Sequence, residues 1–427
     1  MWTLAALVVA NMIGTGIFTS SGYSLGALGS PGRVMLAWWL CGVWAISGAI
    51  AYGGLVSRLP MSGGEYLFLS RFVHPSIGFL AGWISLVAGF TAPIALAAQG
   101  AAAHGVPGFT DFQQRCTAAG VIAVSAMCYL AGVNVGARIQ NTIVALKLLL
   151  LLTIILLAFA WRSQWHGGEA LADRDVNWLP GRLDEWTVLL GSMSWVALSY
   201  TGFNAAVYVA GEAKNSQHTV PRAMLLATCF VTVLYLVLNY IFVYAVEPQL
   251  IENEERVASI VGRAIGGPTF DMLIRGTITV AMVTSVFSML LAGPRVYQKM
   301  AEDGVMPRIF ASAGNSPRLA TVVQAGLSIL AVFLTDLLQM MKYLGLTLSA
   351  CGALAVLSLW WVRKCLPSAA PLRWWETVSV AVYLSITVGI LYASRTTHPE
   401  EFIAMLGTFV GGGILYASWK FFGHATN

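Results

Sequence analysis

Apolar runs long enough to cross a bilayer follow one another along this chain with little between them. A bilayer core of about 30 Å needs about 20 consecutive apolar residues in a helix. Charged residues make up only 10% of the 427 residues, whereas soluble domains carry about 25%. The alternation of apolar and polar residues that marks a transmembrane β-barrel is absent from these runs. The sequence therefore predicts an all-α integral membrane protein.

We predict twelve transmembrane helices in one transmembrane domain, 1–427. With the N-terminus inside, slightly more lysines and arginines fall on the inner side, as the positive-inside rule requires. Acidic residues concentrate in two outer segments, Glu169–Glu185 and Glu247–Glu255. This pattern predicts a multi-pass protein of the plasma (inner) membrane with both termini cytoplasmic. The predicted spans are Trp2–Leu25, Val34–Val56, Ile77–Ala103, Thr117–Val133, Ile139–Trp161, Trp186–Ala210, Met224–Val246, Met272–Leu291, Val322–Leu338, Tyr343–Val362, Thr377–Ala393 and Phe402–Phe422.

Polar, glycine-bearing stretches interrupt two of these spans. Span one contains Gly14-Thr15-Gly16, and span six contains Ser199–Asn204, which includes Gly202. If spans one to five and six to ten are repeats, the two interruptions correspond. Interrupted helices at matching places in two halves indicate the midplane substrate site of a secondary transporter. Free backbone groups survive at that depth only where they line a cavity or bind a ligand.

The chemistry of such a break suits an amino acid. The N–H groups at the start of a half-helix attract an anion such as a carboxylate, and the free carbonyls at the other edge suit an ammonium group. The alternative is structural: the small residues Gly14, Gly16 and Gly202 would then let two helices pack closely. Residue types alone leave both interpretations open.

Four stretches in order carry a resemblance to a known family. The stretches are Asn11–Phe18, Leu59–Tyr66 followed by Gly78–Trp83, Gly211–Ala223, and Arg295–Pro307. On these stretches the chain resembles the amino acid–polyamine–organocation transporters. Within that family, Gly202-Phe203-Asn204 is similar to the Gly-Trp-Asn of the L-type amino acid exchangers.

The resemblance implies a LeuT-like architecture that works by alternating access. Two inverted five-helix repeats would occupy 1–162 and 186–363, and two additional helices would occupy 373–422. Helices 1 and 6 would be discontinuous.

The resemblance also implies the substrate contacts. The carboxylate would meet the Thr15 hydroxyl and the Gly16 N–H, and the amino group would meet backbone carbonyls of Met12, Leu198 and Thr201. Relatives often place an aromatic gate at the position of Leu198, and a leucine closes less well over the substrate. Either Phe203 or another helix shares that duty, or gating differs. The full predicted substrate-binding set is Met12, Ile13, Thr15, Gly16, Leu198, Ser199, Thr201 and Asn204.

Lys147 lies well inside span five. A lysine at that depth costs at least about 2.5 kcal/mol and marks a functional site by default. The simpler alternative is that its side chain reaches the inner surface. The resemblance implies instead that its ammonium occupies the place of a sodium ion and ties helix five to helices one and eight. It would then be either a proton-coupling group or a fixed charge.

Asn204 bears on the substrate. A neutral amide favours a neutral side chain, and span six has no acidic residue in its interior. An interhelical hydrogen bond is the structural alternative for Asn204. Glu65 and Glu212 are weaker candidates. Pairing with Arg138, Arg222 or Arg295 would close the inner face, and the alternative is that these charges are simply solvated.

We therefore predict a sodium-independent secondary transporter of neutral L-amino acids, either an exchanger or a proton symporter. The alternatives are a cationic amino acid or polyamine transporter of the same fold, and a non-transporting amino acid receptor. No H-E-x-x-H, G-x-S-x-G or paired intramembrane carboxylates are present, so no enzyme is predicted. The predicted partners are an amino acid, the lipid bilayer and, for a symporter, protons. Neither a cofactor, a metal nor a nucleic acid is predicted.

Overall fold

A computed structural model describes residues 1–131, 137–165, 178–311, 318–335 and 337–423. Helices form all the regular structure of these residues. The predicted end of span four at Val133 and most of the acidic segment Glu169–Glu185 lie outside the described residues. The α-helices are α1 (Trp2–Met12), α2 (Gly16–Leu28), α3 (Pro31–Arg58), α4 (Gly64–Phe72), α5 (Pro75–Ile84), α6 (Ala92–Gly105), α7 (Asp111–Leu130), α8 (Ala137–Ala160), α9 (Leu183–Tyr200), α10 (Ser216–Tyr244), α11 (Val257–Glu302), α12 (Arg318–Leu334), α13 (Leu337–Ser358), α14 (Val362–Cys365), α15 (Trp374–Thr397) and α16 (Pro399–Gly423).

Shorter helical segments join some of these elements. A π-helical segment, Ser85–Thr91, connects α5 to α6 without a loop. A 3₁₀ segment, Ala205–Glu212, follows the end of α9. The remaining 3₁₀ turns of the described chain are Arg162–Gln164, Pro248–Leu250, Arg308–Phe310 and Leu359–Trp361.

Within the described residues, seven helices are long and apolar enough to cross a membrane, and the bent pair α1–α2 raises the number to eight. The chain is therefore a multi-pass membrane protein. Helices α7, α8, α9 and α12 coincide with predicted spans four, five, six and nine but fall outside that criterion. The seven helices that meet the criterion are Pro31–Arg58, Pro75–Gly105, Ser216–Tyr244, Val257–Glu302, Leu338–Cys365, Trp374–Thr397 and Pro399–Phe421.

The helices end at both predicted interruptions. Helix α1 stops at Met12, α2 starts at Gly16, and their axes differ by 40°. Helix α9 stops at Tyr200, Thr201 is extended with ψ 153°, and Gly202 has φ +94°. Only glycine adopts such a positive φ without strain, so the second interruption depends on its glycine.

Helix α11 corrects the predicted bounds of span eight. It runs over 46 residues, from Val257 to Glu302, instead of Met272–Leu291. A kink divides it at Gly267, where φ is +69° and the next residue, Pro268, has no N–H to donate. Part of the segment between predicted spans seven and eight is therefore helical.

Aromatic side chains hold α9 in place beside α3 and α10. The Tyr200 hydroxyl, at the last residue of α9, donates a hydrogen bond to the Trp38 carbonyl over 2.9 Å. The rings of Trp38, Tyr200 and Tyr235 contact one another, with centroid distances of 5.1 to 5.7 Å. This buried cluster fixes the position at which α9 ends.

Candidate substrate site at two broken helices

The two interruptions contact each other. A Cβ atom on Gly16 would lie 2.2 Å from Ser199 Oγ and 3.1 Å from Ser199 Cα. A Cβ atom on Gly202 would lie 2.9 Å from the carbonyl carbon and oxygen of Asn11. Glycine is therefore required at both places by the close approach of the other broken helix.

One tyrosine bridges the backbone of both interruptions. The Tyr235 hydroxyl of α10 lies 2.5 Å from the Met12 carbonyl oxygen and 3.0 Å from that of Ser199. The Leu198 carbonyl accepts hydrogen bonds from the Thr201 hydroxyl, at 2.6 Å, and from the Thr201 N–H. Two of the carbonyls predicted to hold a substrate amino group thus already have partners inside the protein. No sequence pattern pointed to Tyr235.

Lys147 is completely buried and meets the first interruption. Its ammonium donates to the carbonyls of Ile13, at 2.5 Å, and Ala281, at 3.3 Å, and lies 3.5 Å from Ser285 Oγ. It does not reach the surface. Among the described residues its partners are neutral oxygens on α11 and at the end of α1. The single positive charge therefore links three helices at the break.

A central cavity of about 80 Å³ lies against the second interruption. It brings together the predicted residues Thr201, Gly202, Phe203 and Asn204. Phe203 packs edge-to-face against Trp44 and Tyr52, with centroids 5.8 and 5.6 Å apart. The other aromatic walls of this cavity are Phe90, Tyr208 and Tyr383.

Glu65 is a buried acid in the wall of this central cavity. Its carboxylate accepts hydrogen bonds from the hydroxyls of Tyr52, at 2.9 Å, and Tyr208, at 2.6 Å, and from the amide of Asn204. A carboxylate is an acceptor-only group, and all three partners are donors. The negative charge therefore faces the cavity among neutral groups.

The prediction that Glu65 pairs with an arginine at the inner face is wrong for Arg222 and Arg295. The side chain of Arg138 lies outside the described part of the chain. The glycines before Glu65 turn it inward, because Gly64 has φ +61° and packs against the Tyr208 ring. Glu212 does form an ion pair, with Arg295 at 3.3 Å.

Thr15 faces a different space, which we call the outer cavity because it lies at helix ends that are predicted to face the outside. This cavity has a volume of about 300 Å³ and is lined by the ends of α2, α6 and α7 and by the segment before α11. Along the first interruption, Asn11 lines the central cavity and Thr15 lines the outer one. Six of the residues predicted at the two breaks line neither cavity: Met12, Ile13, Gly14, Gly16, Leu198 and Ser199.

The structure therefore brings the two interruptions together but divides the predicted substrate residues between two spaces. Leu198, proposed as a gate, is buried beside the contact between the two breaks. Asn204 lines the central cavity and makes the bond to Glu65 on another helix, so the interhelical hydrogen bond of the structural alternative is present. The sequence pointed to Glu65 through the motif that contains it and as a weaker candidate for an ion pair, but not as a residue of the central cavity.

The family model for amino acid permeases matches residues 1–415. Mouse (Mus musculus) solute carrier family 7 member 13 is 25% identical over 364 residues, covering 82% of this chain and 75% of the relative. Rat (Rattus norvegicus) large neutral amino acids transporter small subunit 2 is 26% identical over 361 residues, covering 79% of this chain and 65% of the relative.

A third relative is the vacuolar cationic amino acid transporter 4 of Arabidopsis thaliana. It is 26% identical over 380 residues, covering 83% of this chain and 61% of the relative. The relatives are transporters, and the family match spans nearly the whole chain. The chain therefore belongs to the amino acid permease family, within the amino acid–polyamine–organocation superfamily of amino acid transporters.

Proposed function

We propose that this protein moves L-amino acids across the plasma membrane by alternating access and without sodium. The observation that carries the proposal is the contact between two broken helices, bridged by Tyr235 and held by the buried Lys147 ammonium. Backbone groups freed from a helix persist in a membrane only where they line a cavity or bind a ligand. Twelve spans, with inverted repeats at 1–162 and 186–363 and two further helices at 373–422, belong to the same proposal.

In this proposal a buried ammonium group takes the place of a sodium ion. Lys147 supplies a positive charge to the Ile13 carbonyl at the first break. In the resemblance drawn from the sequence, a sodium ion would otherwise occupy this place. The transport mode is either exchange, with Lys147 as a fixed charge, or proton symport, with Lys147 as the coupling group.

Neutral amino acids are the first candidate substrates. Asn204 presents an amide to the central cavity, and the walls beside it are aromatic. The rat relative is named for large neutral amino acids, which supports this choice.

Cationic amino acids are the second candidate, and Glu65 favours them. Its carboxylate lies in the wall of the same cavity, and its described partners are neutral donors. A cationic side chain would supply the missing positive charge. The Arabidopsis relative is named for cationic amino acids.

Uptake into proteoliposomes tests the proposal. Labelled alanine, leucine and lysine are supplied separately in sodium-free buffer, with and without unlabelled amino acid inside, and with and without an inward proton gradient. Uptake that needs internal amino acid means exchange, and uptake into empty vesicles driven by protons means symport. Gly16→Leu is the matched inactive variant, because any Cβ at this place meets Ser199. No uptake of any amino acid above the level of that variant would refute the proposal.

A further inference from the structure

A third cavity, which we call the inner cavity, lies at helix ends that are predicted to face the cytoplasm. Its volume is about 840 Å³, and its walls are the end of α3, the start of α10, the connection between α14 and α15, and the start of α15. It shares no lining residue with the central or the outer cavity. A ligand bound here would therefore lie outside the candidate substrate site.

A buried ion pair forms one wall of the inner cavity. Arg58 of α3 donates two hydrogen bonds to the Glu376 carboxylate of α15, at 2.9 and 2.8 Å, and the two side chains are only 5% and 8% exposed. The Arg58 guanidinium also donates to the carbonyls of Ala370 and Pro371. The pair is neutral as a whole and has its partners within the protein. It therefore shapes the wall and leaves the charge of the cavity to other residues.

Two further arginines give the inner cavity a positive charge. Arg222 of α10 and Arg373, directly before α15, line it with exposed side chains. Among the described residues, no carboxylate lies within ion-pair distance of either guanidinium. Arg373 instead lies over the Trp375 ring, with its guanidinium carbon 5.2 Å from the ring centroid. Because a guanidinium group binds phosphate through charge-assisted hydrogen bonds, the two arginines suit a phosphate group.

Contacts with α3 place both arginines beside the same short stretch of that helix. A Cβ atom on Gly53 would lie 3.0 Å from the side chain of Pro221, the residue directly before the first arginine. A Cβ atom on Gly54 would lie 2.9 Å from Glu376 Oε1, and Oε2 of the same carboxylate accepts from the Arg373 N–H over 2.8 Å. The two arginines therefore start beside neighbouring residues of α3, and both line the one cavity.

The inner cavity leads from these charges to an apolar surface. Its lining on α3 runs from Arg58 back to Ala49, roughly 13 Å at about 1.5 Å per residue. On α10, Arg222 begins a stripe of exposed residues spaced three or four apart, which lie on one face of the helix. The apolar members of this stripe are Leu226, Phe230 and Val233. The cavity thus has a cationic end at the predicted inner surface and continues toward a face of α10 that suits acyl chains.

We propose that the inner cavity binds one anionic phospholipid of the inner leaflet. The lipid phosphate binds Arg222 and Arg373, and its acyl chains lie along the apolar stripe of α10. Basic pockets between membrane helices on the cytoplasmic side bind anionic lipid headgroups. A free phosphate compound would satisfy the two guanidinium groups equally, but only a lipid also covers the apolar stripe. The inference does not depend on the proposed function, because the site is separate from both other cavities.

Native mass spectrometry of the full chain, released from detergent, tests the inference. Phosphatidylglycerol, phosphatidylcholine with the same acyl chains, and glycerol phosphate are titrated separately, so that headgroup charge and acyl chains vary in turn. The wild type should bind one phosphatidylglycerol more tightly than either of the other compounds. By the usual contribution of one arginine at a membrane surface, Arg222→Gln and Arg373→Gln should each weaken this binding about fivefold, and the double variant about thirtyfold. Arg308→Gln is the matched control, because Arg308 is an exposed arginine that lines none of the three cavities.

Three results would overturn the inference. Equal affinity for phosphatidylglycerol and phosphatidylcholine would exclude recognition of an anionic headgroup. Glycerol phosphate that binds as tightly as phosphatidylglycerol would replace the lipid with a free phosphate compound. Unchanged phosphatidylglycerol affinity in the folded double variant, or an equal loss in Arg308→Gln, would remove Arg222 and Arg373 from the site. Thermal unfolding in lipid-free detergent shows which variants fold, and the single variants carry the test if the double variant does not.

Discussion

A single methyl group should separate the two broken helices. In Gly16→Ala the new Cβ would lie 2.2 Å from Ser199 Oγ, 3.0 Å from Ser199 Cβ and 3.1 Å from Ser199 Cα. The hydroxyl can rotate away, but the Cβ and the backbone Cα cannot. The contact between the breaks must therefore open, and the state with the breaks together is destabilised.

The size of the effect follows from the overlap. Overpacking a well-filled interior by one methyl group costs about 1–3 kcal/mol. That range corresponds to about a 5- to 150-fold shift in an equilibrium between two conformations. Gly14→Ala is the matched control, because its Cβ would have Met12 O as its nearest neighbour, at 3.9 Å. The loss of backbone freedom in the unfolded chain is the same for both changes and cancels.

Two measurements apply to both variants. Initial uptake at a substrate concentration below half-saturation should fall about 5- to 150-fold in Gly16→Ala, following the shift in the conformational equilibrium, and stay near wild type in Gly14→Ala. The thermal unfolding midpoint should fall in Gly16→Ala alone. Equal effects of the two changes, or an unchanged Gly16→Ala, would show that the breaks are not held together by close packing.

Other predictions concern charge. A contact between Glu65 and a substrate ammonium group at about 4 Å contributes about 4 kcal/mol at an effective dielectric constant of about 20. Glu65→Gln should therefore lower the ratio of lysine uptake to alanine uptake at least about tenfold. An unchanged ratio would speak against a cationic substrate. Lys147→Met should abolish uptake and lower the unfolding midpoint, because the bonds to Ile13 and Ala281 are lost; normal uptake would remove Lys147 from the mechanism. Burial, with the nearby Lys342 charge, lowers the pKa of His398 to about 4. As the pH is lowered, the unfolded chain therefore takes up a proton at this residue before the folded chain does. The free energy of unfolding then decreases as the pH falls from about 6.5 to about 4. The unfolding midpoint of His398→Phe minus that of the wild type should therefore be larger at about pH 5 than at about pH 7. An equal difference at both pH values would contradict this.

Local sequence was enough to locate the two breaks. Glycine with small polar neighbours inside an apolar run is a local signal, and the structure ends its helices within a few residues of Gly14 and Gly202. The depth of Lys147 was equally readable, because span position alone determines it. The helical membrane class followed from composition.

Contacts between distant segments were beyond the sequence. Glu65 looked like a residue of an exposed connection, yet the turn at Gly63 and Gly64 directs it into the central cavity. The division of Thr15 and Asn204 between two cavities depends on how the breaks pack, which no single segment encodes. The kink at Gly267 was missed because glycine followed by proline also reads as a loop.

The π-helical segment Ser85–Thr91 determines how α6 is rotated about its axis relative to α5, and so which residues of α6 face each cavity. Ser85, Gly89 and Phe90 line the central cavity. Gly100 and His104, which lie farther along the same continuous helix, line the outer cavity. In a regular α-helix each residue turns the helix by about 100° and advances it by about 1.5 Å. Deleting one residue from the π-helical segment would therefore rotate α6 by about that angle and turn His104 away from its cavity, while α5 stayed in place. The π-helical segment thus aligns the two cavities, and a change of its length alters both at once.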